Sequence, residues 1–357
     1  MPARTSSAPL EWDPLQYEVK AISDSPSNAD PESGRDPWTT PARILVATDL
    51  SDLDRLMPFA LDQASETGAR LILLHVLTAG ASEGSDVAGA PYYDPASALE
   101  FARKNLEVCC EFAGRQGIAC DGLVRAGDPA GHIAAAIRQF HVGRVLLGTR
   151  SRSRLGKLLL GSVAEQVLRS VQLPVFTVGP EAHLAVAGSD RVVLHATALT
   201  ETSRPSAALA CRIAASQGAK LILLHVLPPL NHPESEMLDG FGLAGEGMGR
   251  SGQLAGLDSA ALHELRHLAA ETAAGCCTAI EPVVVHGNPS IEILAIAAER
   301  HADLIVMGAT DRSAFANLTR ERTIYRVLAH ARCPVLTLRE THVAPAALEK
   351  HSMGVHP

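Results

Sequence analysis

The stretch GTRSRSRLGKLLLGS, residues 148–162, holds the residues best suited to chemistry. Gly148 lets the chain leave a strand sharply. Gly161 and Ser162 then open a helix, with Ser162 expected as its N-cap. The first N–H groups of a helix lack partners within it, and the helix dipole is positive there. Such an end suits an anion, phosphate above all. A glycine permits close backbone approach, and a serine hydroxyl can donate to a phosphate oxygen. Arg150, Arg152, Arg154 and Lys157 add positive charge. Spacing alone fits equally a capped helix behind a solvated basic loop.

The elements around this stretch follow from apolar periodicity. The run Arg43–Thr48 is a short strand buried on both faces. An amphipathic helix follows, about 54–67, stopped by Gly68. Next come strand LILLHVL (71–77), helix 96–116, strand 120–125, helix 129–140, strand 144–148, helix 162–170 and strand 175–178. LILLHVL recurs letter for letter at 221–227, behind Gly218-Ala219-Lys220 where the first copy has Gly68-Ala69-Arg70. Gly127-Asp128-Pro129 returns as Gly287-Asn288-Pro289, and Pro174-Val175 as Pro334-Val335. The second set of elements is strand 192–197, helix 204–217, strand 221–227, helix 258–273, strand 278–285, helix 290–300, strand 304–308, helix 323–330 and strand 335–338. The chain is thus a tandem duplication. Its expected parts are a disordered arm (1–40), a first domain (41–180), a second domain (190–340) and a tail (341–357).

Alternating strands and helices imply α/β domains, each a doubly wound, Rossmann-like parallel sheet of five strands. The last strand of each copy, Val175–Val178 and Val335–Leu338, leaves an apolar edge, and open edges pair. The linker is short, about ten residues from Gly179 to Ser189. The two edges are therefore expected to pair antiparallel as a pseudo-twofold dimer within one chain. Ligands of such sheets lie beyond the carboxyl ends of the strands. In the first copy that points to Asp49, Val76, Gly127 and the run from Gly148.

The spacing Gly148-x2-Ser151-x9-Gly161-Ser162 resembles the signature of the universal stress protein family, Gly-x2-Gly-x9-Gly-Ser/Thr, with serine for the second glycine. The continuation SVAEQVLRSVQLPVFTV (162–178) and the opening ILVATDLSD (44–52) are similar to the family as well. The resemblance covers both copies. It implies ATP, with or without magnesium, held in the first copy by Asp49, Val76, Gly148, Ser151, Gly161, Ser162 and Val163. It also implies a regulatory binding protein rather than a fast enzyme, with slow hydrolysis of bound ATP left open. In the second copy Asp49 is matched by Ala198, Ser151 by Asp311, Gly161 by Glu321 and Ser162 by Arg322. Two carboxylates where phosphates would sit repel them, so that site is expected to be degenerate.

The bulk numbers set bounds. A net charge of −8 disfavours a general binder of nucleic acid or of anionic membranes. No apolar run reaches the roughly 18 residues of a membrane span. The N-terminus has no apolar signal core, so a cytoplasmic protein is expected. The seven cysteines, including the pairs Cys109-Cys110 and Cys276-Cys277, are expected to be buried reduced thiols. His263-Glu264-Leu265-Arg266-His267 matches a zinc-protease pattern but falls on a repeat helix without a third ligand, and is expected to be a solvated face. GFGLAG (240–245) lies too far from its strand to be a dinucleotide turn. His75 and His225 are expected to be structural. Asn317-Leu318-Thr319 has a glycosylation pattern in the wrong compartment. The partners expected are an adenine nucleotide, a regulatory protein and a second copy of the chain. The rival readings are a scaffold that binds no nucleotide and an adenylate-transferring ligase.

Overall fold

The computed structural model of the chain describes residues 38–78, 95–149, 161–184, 190–200, 203–229, 250–273, 278–310 and 318–340. The first copy runs β1 (Arg43–Thr48), α1 (Leu53–Thr67), β2 (Arg70–Leu77), α2 (Pro95–Arg115), β3 (Cys120–Ala126), α3 (Pro129–Gln139), β4 (Arg144–Gly148), α4 (Ser162–Ser170) and β5 (Val175–Val178). The second runs β6 (Val192–Ala196), α5 (Arg204–Gln217), β7 (Lys220–Leu227), α6 (Arg250–Ala273), β8 (Ile280–His286), α7 (Pro289–Glu299), β9 (Leu304–Thr310), α8 (Leu318–His330) and β10 (Val335–Glu340).

Two helices start earlier than their sequence suggests. α6 begins at Arg250 rather than Asp258. Its early turns contain Gly252 and Gly256, which read as loop. An exposed helical glycine costs only about 1 kcal/mol relative to alanine, and the rest of a 24-residue helix carries it. α8 begins at Leu318 rather than Thr323. The arm expected for residues 1–40 falls outside the described residues except for its last three. Trp38 among these packs against the core. The tail and GFGLAG also lie outside the described residues, as does Asn317.

Ten strands form one sheet in the order β3-β2-β1-β4-β5-β10-β9-β6-β7-β8. Within each copy every ladder is parallel, and β5 meets β10 antiparallel, with Thr177 opposite Val335, Phe176 opposite Leu336 and Val175 opposite Thr337. The expected pseudo-twofold pairing is what the structure shows. Thr177 Oγ1 donates to the Val335 carbonyl at 3.1 Å, and Thr337 Oγ1 donates to the Val175 carbonyl at 3.3 Å. The two bonds are related by the pseudo-twofold axis.

Alternation along the strands divides the core into two layers. Ile44, Val46, Leu71, Leu73 and Phe176 pack with Val193, Leu223, Val306 and Leu336 on the face covered by α1, α2, α5 and α6. Leu45, Ile72, Leu74 and Val175 pack with Leu194, Ile305 and Val335 on the other face, under α3, α4, α7 and α8. Each layer draws side chains from both copies. At the seam the Arg144 guanidinium lies 4.9 Å over the Phe176 ring and donates to Gln63 Oε1 at 2.5 Å and the Trp38 carbonyl at 3.1 Å. Burial pulls its pKa down to about 10, so it stays charged at neutral pH. Outside the sheet, Arg191 of the second copy bonds Asp62 and Glu66 of α1, and Gln217 of α5 donates to Glu66 at 2.8 Å.

The seam makes the first copy incomplete alone. Residues 41–185 expressed without the second copy expose the β5 edge and the apolar side chains behind it. The fragment is expected to self-associate in analytical sedimentation. A monomer at high concentration would contradict the role given to the seam.

Candidate functional site

β1 and β4 are neighbours in the sheet, yet α1 leaves β1 on one face and α4 leaves β4's end on the other. Divergence of this kind opens a crevice at the carboxyl ends of the strands. In the first copy the crevice is a cleft of about 780 Å³. Asp49, Val76, Gly148, Gly161, Ser162 and Val163 all line it. Ser151 and the basic residues Arg150, Arg152, Arg154 and Lys157 lie outside the described residues. Gly127 does not line the cleft. It takes φ +126° in the turn before α3, where Asp128 caps the helix by accepting from the Gly131 N–H at 2.7 Å. Gly287 takes φ +150° in the second copy, where Asn288 accepts from the Ser290 N–H at 3.1 Å. A turn kept in both copies belongs to the scaffold.

The β1–α1 turn builds the floor. Asp49 Oδ1 accepts from the Ser51 N–H at 2.9 Å and the Ser51 hydroxyl at 2.5 Å. Leu50 holds φ +72° while its N–H donates to Thr48 Oγ1. Leu199 repeats this at φ +53°, donating to Thr197 Oγ1. So the turn is scaffold, and the Asp49 carboxylate, replaced by Ala198, is what distinguishes the first copy. His75 Nδ1 lies 2.9 Å from the Thr48 carbonyl, and His225 Nδ1 lies 2.9 Å from that of Thr197. A carbonyl only accepts, so Nδ1 carries the proton in both. This recurring bond ties the second strand to the first.

Asp52, which the motif does not flag, is the buried acid of the cleft. Thr48 Oγ1 donates to its Oδ1 at 2.6 Å. Asp52 sits at the N-cap of α1 but makes no side-chain cap bond; its carboxylate turns inward. A Cβ added to Gly148 would stand 1.7 Å from Asp52 Oδ2. Gly148 is therefore needed to admit this carboxylate, whatever else it does at the strand end. Burial foremost, with the nearby Asp49 charge, raises the Asp52 pKa to about 6, against the Thr48 bond and Arg55, which lower it. The sequence clue was available: a second aspartate three residues after Asp49 and just ahead of a helix.

At the other end, α4 corrects one expectation. Its N-cap is Gly161, at φ −64° and ψ 144°, and Ser162 is the first helical residue. Gly161 has no side chain to cap the helix, and Ser162, Val163 and Ala164 after it line the cleft. α2 supplies the wall with Ala98, Phe101 and Asn105. Phe101 is 63% exposed, and no spacing in the sequence singled it out.

The second copy has a smaller cavity of about 250 Å³, lined by Thr197, Ala198, Ser203, His225, Gly308 and Thr323 among others. Because α8 starts at Leu318, the position matching Gly161, Glu321, lies within the helix instead of at its cap. His263 and His267 lie on the exposed face of α6, with His267 3.6 Å from Glu271. Among the described residues no group of three or more His, Cys, Asp or Glu could hold a metal ion, and no helix is long and apolar enough to cross a membrane.

The raised Asp52 pKa has a consequence for stability. The folded protein holds this proton more tightly than the unfolded chain, whose aspartate titrates near 4. Asp52's contribution to stability therefore falls as pH rises from about 4 through 6, and the ionised carboxylate is a cost above that range. Asp52→Asn keeps the acceptor for Thr48 and removes the charge. It is expected to stabilise the protein by on the order of 1–3 kcal/mol above pH 7, and to do little below pH 4, in thermal melts across pH. A uniform effect at all pH values would contradict the assignment.

The model of the universal stress protein family matches residues 41–179 and again 191–339. A universal stress protein of Bacillus subtilis, YxiE, is 29% identical over 145 residues, covering 38% of this chain and 97% of its own. One from Thermus aquaticus is 30% identical over 137 residues, covering 38% of this chain and 96% of its own. Among solved structures, a universal stress protein from Archaeoglobus fulgidus covers 85% of this chain and 98% of its own at 20% identity, with a TM-score of 0.62; this likeness shows the fold. The chain belongs to the universal stress protein family and carries two copies of its domain in tandem.

Proposed function

We propose that the first copy binds an adenine nucleotide, ATP foremost, and that the second copy is a partner domain without such a site. The observation that carries this reading is the convergence of six residues. Asp49, Val76, Gly148, Gly161, Ser162 and Val163 come from three strand ends and one helix start into a single cleft. Their chemistry suits the parts of a nucleotide. The Asp49 carboxylate accepts from ribose hydroxyls or base N–H groups, and the Val76 backbone meets the base edge. The start of α4 offers amides and positive dipole to the phosphates, and Phe101 offers a ring face. The second copy departs at both ends at once, with Ala198 for the carboxylate and a helix running through position 321.

The reading is binding and regulation rather than fast turnover. Occupancy of the cleft shifts conformation or partner choice. Ser151 stands at the second glycine position of the family's motif.

Gly161→Glu copies into the first site what the second copy already has. In calorimetric titration, wild-type protein is expected to take up ATP, and the folded variant to bind at least tenfold more weakly, about 1.4 kcal/mol. Equal affinity in the two proteins would contradict the placing of the phosphates at α4.

A further inference from the structure

Five of the seven cysteines lie in the described part of the chain. Cys109, Cys211 and Cys333 are buried, as expected from sequence, and burial pushes the Cys109 and Cys333 thiols up to about 12. Such thiols are inert. Cys110 and Cys120 depart from that expectation, because both are only half-buried. Their sulfurs are 2.7 Å apart, from the C-terminal end of α2 to the first residue of β3. A disulfide bond measures about 2.05 Å, so bridging them calls for a shift of well under an ångström between the sulfurs. Adjacent cysteines on a helix point in different directions. Cys109 enters the core cluster while Cys110 lies at its margin, beside Cys120.

The duplication gives an internal comparison. Cys120 is opposite Leu71 in the sheet, and the residue opposite the matching Leu221 is Ile280. The buried residues Ala102, Leu106 and Cys109 of α2 correspond to Ala261, Leu265 and Leu268 of α6, which aligns Cys110 with Ala269. The paired thiols are therefore absent from the second copy. They occur in the copy with the large cleft, on the helix that carries Ala98, Phe101 and Asn105 in its wall.

We propose that Cys110 and Cys120 are a reversible redox site, at which a hydroperoxide converts the two thiols to a disulfide that clamps α2 to the edge strand β3. Either sulfur can meet the peroxide first with the same balance of atoms, for example that of Cys110. It takes one peroxide oxygen to become a sulfenic acid, and the other oxygen leaves as water. The Cys120 sulfur then attacks the sulfenic sulfur, forming the S–S bond and releasing a second water. Two thiols and one hydrogen peroxide give one disulfide and two waters. An external dithiol reverses the step by exchange, becoming a disulfide itself. The clamp stands whether or not the cleft takes a nucleotide, and it acts on the wall of that cleft through α2.

The test uses the full-length protein, treated with one equivalent of hydrogen peroxide, alkylated, digested and mapped by mass spectrometry. The expected product is a link between the peptides of Cys110 and Cys120, with the intact mass lower by two hydrogens and restored by dithiothreitol. Cys110→Ala and Cys120→Ala, each checked for folding by circular dichroism, are expected to lose the link. A Cys109-to-Cys120 link surviving in Cys110→Ala would overturn the assignment. So would oxidised protein whose Cys110 and Cys120 both remain alkylatable, or Cys110 carried on to sulfinic acid without a link. Hydrogen exchange supplies a readout free of variants: amides in the last turns of α2 are expected to slow at least threefold in the linked protein. A link that leaves their exchange unchanged would overturn the clamp.

Discussion

The backbone groups along β5 and β10 have no partners within their own copies on the outer side, and the structure satisfies them with each other. Everything else is arranged around that junction. The reciprocal bonds of Thr177 and Thr337 accompany its register. Phe176, buried beneath the seam, brings Phe59 within 5.5 Å between ring centroids and sits under the Arg144 guanidinium. A charged guanidinium in a core needs partners for its donors; Gln63 and Trp38 accept from the two terminal nitrogens of Arg144, while its Nε has no partner among the described residues. With the seam closed, two five-stranded sheets become one of ten strands, and the cleft of the first copy lies on a rigid support. This gives a physical reason for keeping a second copy that has lost residues of the first copy's cleft: it covers an edge that would otherwise seek another chain.

The duplication also separates scaffold from site without any outside reference. The positive φ of Leu50 and Leu199, the His75 and His225 bonds to the first strand, and the glycine turns at 127 and 287 occur twice. They hold the fold. Asp49, Gly161 and the thiol pair Cys110 and Cys120 occur once. What differs between two copies of one scaffold is free of its demands.

The sequence disclosed the fold almost completely, because buried parallel strands and amphipathic helices leave strong periodic marks and because the repeat states each mark twice. It pointed to the candidate cleft through glycines and a helix start. It did not disclose Asp52, because a carboxylate ahead of a helix looks like a cap; only the turn of its side chain toward Gly148 shows otherwise. Nor did it disclose Phe101, whose exposure depends on how α2 crosses the sheet. The meeting of Cys110 and Cys120 spans a helix end, a turn and a strand start, and no spacing rule describes that geometry. Gly127 was read as a site residue from its place after a strand, but its demand comes from the turn.

The central claim is that one copy holds the nucleotide and the other holds the first in shape. A crystal structure of the full chain grown with ATP tests it most directly. The account predicts one nucleotide per chain, in the first copy, with its ribose side near Asp49 and its phosphates at the start of α4. Nucleotide in the cavity lined by Thr197 and Ala198, or a first cleft left empty at saturating ATP, would contradict it.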